Sequence, residues 1–69
     1  MSRTGKIKFY DSDRGFGFIT PDDGAADVFV HVTQVRSGAK LVEGDRVQFF
    51  DGVSERTGKT QAERVTVQS

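Results

Sequence analysis

The stretch Arg14-Gly15-Phe16-Gly17-Phe18-Ile19 sets two phenylalanines two residues apart with a glycine between them. A strand sends alternate side chains to opposite faces, so Phe16 and Phe18 point the same way. Ten residues after Phe18, Val28-Phe29-Val30-His31-Val32 repeats the arrangement. Val28, Val30 and Val32 fall on one face of that strand, Phe29 and His31 on the other. Valine suits a core. If the two strands pair, Phe16, Phe18, Phe29 and His31 form a ring-lined platform with an apolar layer behind it. Any single Phe could be ordinary core, but a small barrel has room inside for only one such ring. Every base has a π-face, so an exposed platform of this kind suits single-stranded nucleic acid. Gly15 and Gly17 lack a Cβ and let a base or a neighbouring strand approach the backbone closely.

Upstream, Gly5 to Tyr10 reads as a first strand, with Ile7 and Phe9 on one parity and Lys6, Lys8 and Tyr10 on the other. Asp11-Ser12-Asp13 is rich in turn formers. The second strand runs from Gly15 to Thr20. Pro21 ends it, because proline cannot donate to a ladder. A loop from Pro21 to Ala26 leads to the third strand, Asp27 to Val32. Thr33 to Glu43 lacks alternation and contains Ser37-Gly38, so it reads as a crossover with room for one short helical turn. The fourth strand, Arg46 to Phe50, places Val47 and Phe49 on one face, with Phe50 as an extra aromatic on the polar parity. Gly52 to Lys59 is a polar hairpin loop. The fifth strand, Gln61 to Val67, alternates Val65 and Val67 with polar neighbours.

No window repeats apolar residues at helical spacing, and five short strands separated by turns mean an all-β fold. Closing such a sheet removes its edges. Five strands with a longer connection after the third fit the five-stranded antiparallel Greek-key barrel of oligonucleotide-binding folds, the OB-fold. Internal repeats and low-complexity segments are absent, so residues 1–69 read as one domain.

Ten basic and ten acidic residues give a formal net charge of zero, so charge alone does not point to a phosphate partner. Arg3, Lys6, Lys8 and Arg14 nevertheless precede or enter the aromatic stretch, while Asp22, Asp23 and Asp27 follow it. That order allows a basic flank beside the rings and acid at one rim, while charge alone favours a mixed, solvated surface. With no Cys, the chain offers neither a disulfide nor a thiolate zinc site. It also lacks an apolar run of membrane-spanning length and a signal-peptide h-region. A cytoplasmic protein is expected, with no membrane partner.

Several motifs are decoys. Gly58-Lys59-Thr60 ends like a phosphate-binding loop, but that motif needs another Gly where Val53 stands, and no long helix follows. Asp11-Ser12-Asp13 opens like a calcium loop, yet the required Gly position is Phe16. Arg14 to Ile19 matches the start of a ribonucleoprotein motif, whose last aromatic would fall on Pro21 in a chain without that fold's helices. His31 is the only His, so metal or acid–base chemistry has no partners for it. Beside Phe29 it fits stacking or a hydrogen bond to a base or phosphate. No nucleophile–base pair, cofactor or small-molecule substrate is indicated, and an enzyme is not expected.

Lys8-Phe9-Tyr10, Arg14-Gly15-Phe16-Gly17-Phe18-Ile19, Asp27-Val28-Phe29-Val30-His31 and Glu43-Gly44 together closely resemble the bacterial cold-shock domain proteins. The resemblance runs from about Gly5 to Val67. It implies a five-stranded barrel that binds single-stranded RNA and DNA, with Lys8, Phe9, Phe16, Phe18, Phe29 and His31 at ligand-contacting positions and Arg14 in place of a family Lys. This chain has Phe9 where the family usually has Trp, Val32 where it has Phe, and Thr60 where Pro is common. The family's usual crossover aromatic is missing near Ala39. The crossover is shorter and the hairpin longer than in the commonest form.

The expected function is sequence-tolerant binding of single strands. Bases would stack on Phe9, Phe16, Phe18, Phe29 and His31, and phosphates would meet Lys6, Lys8, Arg14 and Lys59. An RNA chaperone that melts weak secondary structure is expected, acting as a monomer, with transcription antitermination or translation regulation as consequences. The alternative of another class is a β-barrel adaptor whose aromatic face takes a peptide. The flanking cations favour phosphate.

Overall fold

The computed structural model of the chain describes residues 2–36 and 41–68. Its elements are β1 (Ser2–Asp11), β2 (Phe16–Pro21), β3 (Val28–His31), a 3₁₀ turn (Val32–Gln34), β4 (Arg46–Val53) and β5 (Thr60–Val67). The strands close into a barrel in the order β1-β2-β3-β5-β4. β1 does double duty. Its first half, Ser2 to Lys6, pairs with β4, and Gly5 to Asp11 pairs with β2. The pairing with β4 is why β1 begins before Gly5, where alternation alone starts it. Four of the seams are antiparallel; the closing one, Phe29 with Gln61 and Val30 with Ala62, is parallel. The parallel seam is a consequence of the crossover after β3, which delivers β4 beyond the place where β5 later inserts.

The core is Ile7, Ile19, Val28, Val30, Val35, Leu41, Val47, Phe49, Ala62 and Val65. Of the six phenylalanines, Phe49 is the one fully enclosed. Val28 and Val30 face inward as alternation requires. Val32 does not: it is 41% exposed. β3 ends at His31, and Val32 opens the 3₁₀ turn, so the period of two no longer applies to it. Val35, beyond the turn, returns to the core and bridges to Val65. The missing family aromatic near Ala39 falls outside the described residues.

Two bulges break the simple alternation. In β1, Ile7 faces Ile19 but Phe9 faces Phe18, so Lys8 is an extra residue. In β5, Gln48 faces Thr66 while Phe50 faces Glu63, an extra residue on the β5 side. Arg64 sits at that point with φ of 52°, the one positive value outside glycine among the described residues. The bulge sends Ala62 and Val65, three apart, into the same core. Val67 keeps the parity of Val65 and faces the buried Val47, and at the end of β5 it is 37% exposed. The β4–β5 hairpin also runs longer than its pattern indicates, since Asp51, Gly52 and Val53 stay in register with β5. Gly58 closes its loop, donating to the Ser54 carbonyl at 2.7 Å. Among the described residues no helix is long and apolar enough to cross a membrane.

Phe49 fills the interior, so Phe49→Ala should cost about 3–5 kcal/mol through lost burial and the cavity left behind. Val67→Ala, on the exposed end of β5, should change stability by about 0.5 kcal/mol or less. Urea unfolding of the two variants checks the contrast.

Candidate nucleic-acid interface

The rings form a continuous cluster on the outer face of β1, β2 and β3. Phe16 stacks on Phe29 at 5.9 Å between centroids, with 19° between planes. Phe18 meets Phe29 edge-on at 5.9 Å and Phe16 at 6.5 Å. Phe9 joins through Phe16 at 6.2 Å. Register explains the cluster: Phe9 faces Phe18, Phe18 faces Phe29, and Phe16 faces His31. By parity Phe9 belongs with Ile7 inside. The bulge at Lys8 turns it out instead, and Phe9 is 45% and Phe18 36% exposed. The same bulge swings Tyr10 back against the core. Gly17 lies under this crossing. A Cβ there would run into the Phe9 carbonyl and the Tyr10 backbone, so only glycine lets β2 lie this close to the bulge.

His31 caps the 3₁₀ turn. The Thr33 amide donates to its Nδ1 at 3.2 Å, with the Thr33 hydroxyl 2.9 Å from the same atom. In the neutral ring this places the proton on Nε2, the nitrogen left for a ligand. Val32 stands beside Gly15 and donates its amide to the Gly15 carbonyl at 2.7 Å. Phe50 lies on β4 outside the ring cluster, with the Arg64 guanidinium 5.8 Å above its ring.

The charges do not segregate into a basic flank and an acidic rim. They interleave as ion pairs. Lys8 meets Asp27 at 2.8 Å, Arg46 meets Asp22 at 2.7 Å, and Arg3 lies between Asp51 at 2.6 Å and Asp23 at 3.4 Å. Arg14 stands 3.8 Å from Asp11, whose carboxylate also accepts the Asp13 and Arg14 amides and so builds the Asp11–Asp13 turn. Among the described residues no group of His, Cys, Asp or Glu is placed to hold a metal. Lys6 is exposed on β1, one residue before Ile7, facing Thr20 and Arg46 on the neighbouring strands.

Next to the rings, a groove of about 1070 Å³ opens between β3 and the β4–β5 hairpin, lined by Phe18, Phe29, His31, Lys59, Gln61 and Glu63 with hairpin residues. Lys59 thus reaches the same surface as the rings from a distant part of the chain. Gln61, Glu63 and the hairpin's Arg56 are groove residues that strand patterns do not single out. By parity Gln61 and Glu63 fall with Val65 and Val67, and only the bulge between Glu63 and Val65 separates them from that apolar set.

Residues 3–68 match the model of the 'Cold-shock' DNA-binding domain. The chain belongs to the cold-shock domain family. It is similar to cold shock protein CspA of Rhizobium meliloti, 45% identical over 64 residues that cover 90% of this chain and 93% of that protein. Cold shock-like protein CspG of Escherichia coli is 46% identical over 66 residues, 93% of each chain. Among solved structures, Drosophila Unr CSD456 superposes with a TM-score of 0.80 at 26% identity, over all of this chain and 27% of that one. Cold-shock domains bind single-stranded nucleic acid and are not enzymes, and the ring cluster is the feature of this barrel that suits that activity.

Hydrogen bonds and ion pairs to exposed aspartates give this cold-shock barrel a modest response to acid. Hydrogen bonds from Lys8 and then Thr20 hold the Asp27 carboxyl below its ordinary value. Asp22 is lowered by the Thr4 hydroxyl and then by Arg46, and Asp23 by the Ala25 amide and then by Arg3. Unfolded aspartates titrate near pH ~3.9, so the folded chain binds fewer protons in this range. The stabilisation is complete above about pH 4 and is lost as pH falls through the lower folded values. The urea midpoint should drop on acidification below about pH 4, less steeply in Asp27→Asn and in about 1 M salt.

Proposed function

We propose that this chain binds single-stranded RNA and DNA through Phe9, Phe16, Phe18, Phe29 and His31, with Lys6, Lys8, Arg14 and Lys59 serving the phosphates. The observation that carries the reading is the Phe9–Phe16–Phe18–Phe29 cluster, Phe9 and Phe18 exposed and Phe16 and Phe29 half-buried, on the outside of a barrel whose core is already filled by Phe49. A ring left in water is costly unless a ligand covers it. Bases cover it from either face of any sequence, which gives tolerance of sequence and of sugar.

Its cellular role on this reading is that of an RNA chaperone. The barrel takes the open strand and cannot take a duplex, whose bases are already stacked. Mass action then opens weak hairpins without ATP by RT ln(1 + [L]/Kd), ~2.7 kcal/mol at about a hundredfold excess over Kd. That compares with ~1.4 kcal/mol for an average base-pair step. Preventing nascent hairpins would relieve transcription termination, and opening a message would admit ribosomes. A single domain acting as a cytoplasmic monomer suffices, with no small-molecule substrate.

Gel shifts with an oligonucleotide of about ten nucleotides test the reading, single strand against duplex. Single strands should win, and pyrimidine-rich DNA and RNA of equal sequence should bind within about tenfold of each other. Equal or tighter duplex binding refutes it. Because Lys8 and Arg14 already face carboxylates, few counterions should be released: log K against log salt should have a slope of roughly −2. A flat line would mean a peptide ligand.

Phe16→Ala and Phe29→Ala should each cost about 1–3 kcal/mol of binding. Both variants should stay folded, with melting temperatures lowered only modestly, since these rings lie half-buried on the outer face and lose one stacking contact. A collapse of the melting temperature would reassign them to the core.

A further inference from the structure

The row of facing residues that carries the rings does not stop at Phe29. Phe9 faces Phe18, Phe18 faces Phe29, Phe29 faces Gln61, and Gln61 faces Gly52. Gln61 Nε2 donates to Glu63 Oε2 at 3.3 Å. The Glu63 carboxylate lies against the Gly52 backbone, and a Cβ at position 52 would collide with all three of its terminal atoms. Glycine at 52 therefore makes the room in which the carboxylate rests. Gln61 and Glu63 line the groove together with Phe29 and His31. Stacking on the rings assigns no role to this tethered carboxylate, which stands where a negative charge hinders phosphate.

We propose that Gln61 and Glu63 are specificity-determining residues that select guanine for the base stacked on Phe29. The inference rests on the single-strand reading above. Neighbouring strands lie about 4.8 Å apart, so a base flat on Phe29 extends its edge over β5, and a purine reaches further than a pyrimidine. The Gln61 amide has two N–H protons, and one goes to Glu63. The other is available to an acceptor on the base. Beyond it the carboxylate offers only acceptors. Guanine alone presents that complement along one edge: the O6 acceptor, then the N1–H and N2–H donors. Adenine and cytosine each set one amino group beside a ring nitrogen acceptor. Uracil and thymine flank a single N–H with two carbonyl oxygens, which the carboxylate repels. An edge that leaves a desolvated carboxylate unpaired is rejected, which makes such a site selective.

The test uses fluorescent heptanucleotides of thymidine carrying one guanosine, one inosine or neither, bound to wild type, Glu63→Ala and Gly52→Ala. Inosine keeps the guanine ring but lacks the 2-amino group. Wild type should prefer the guanosine strand to oligothymidine by about tenfold, within the range of a bidentate base contact, and inosine should fall between. Glu63→Ala should abolish the preference while binding oligothymidine at least as well. Gly52→Ala keeps the charge and displaces the carboxylate, so it too should lose the preference. Melting curves of both variants verify that the barrel is intact. The same base ranking in wild type and both variants overturns the proposal. So does a uniform gain for every strand in Glu63→Ala, which would make the carboxylate merely repulsive. A wild type that binds none of these strands overturns the parent reading, and this inference falls with it.

Discussion

Closing five short strands around one phenylalanine leaves no space for another ring. Phe49 occupies the interior completely, and aliphatic side chains from every strand complete the layer around it. The remaining aromatic residues of β1, β2 and β3 must stand outside or half outside. Their clustering there is a matter of register, because Phe16, Phe18, Phe29 and Phe9 occupy facing or diagonal positions. Ring-to-ring contact offsets part of the cost of their exposure. Enough surface is left for a stacked base, so the same geometry serves stability and binding.

The bulges reconcile this arrangement with closure. A strand that pairs on both sides and curves around a barrel cannot keep strict alternation over its whole length. The extra residue at Lys8 turns Phe9 outward and Tyr10 inward. The extra residue near Arg64 brings Ala62 and Val65 to the core at a spacing of three. Each bulge shifts one strand by one residue, and each changes which side chains the surface displays.

The electrostatics are restrained. Of the cations that a linear reading assigns to phosphate, Lys8 is held by Asp27 at 2.8 Å and Arg14 stands 3.8 Å from Asp11. Exposed pairs of this kind contribute little to stability, and they open readily in competition with another anion. They keep the surface near neutrality and leave recognition to the rings. A neutral binder is less prone to non-specific capture by duplex phosphates, where charge supplies most of the affinity.

The sequence by itself determined the all-β class, the strand count, the inward valines of β3 and the outward Phe16, Phe18, Phe29 and His31. Those features are local: they follow from a period of two and from turn residues at its breaks. Its motifs also pointed to the cold-shock family. Tertiary structure decided what depends on pairing between distant segments. Phe9 reaches the surface only because β2 receives β1 with one residue to spare, and parity had placed it with Ile7. Val32 leaves the core because the chain turns after His31, a change of direction that valine does not signal. Asp27 finds Lys8, and Gln61 finds Phe29, only when segments remote in sequence close side by side. Periodicity reports which face a side chain takes. It carries no information about which residue will stand opposite, and the groove and its charge pattern are built from such opposites.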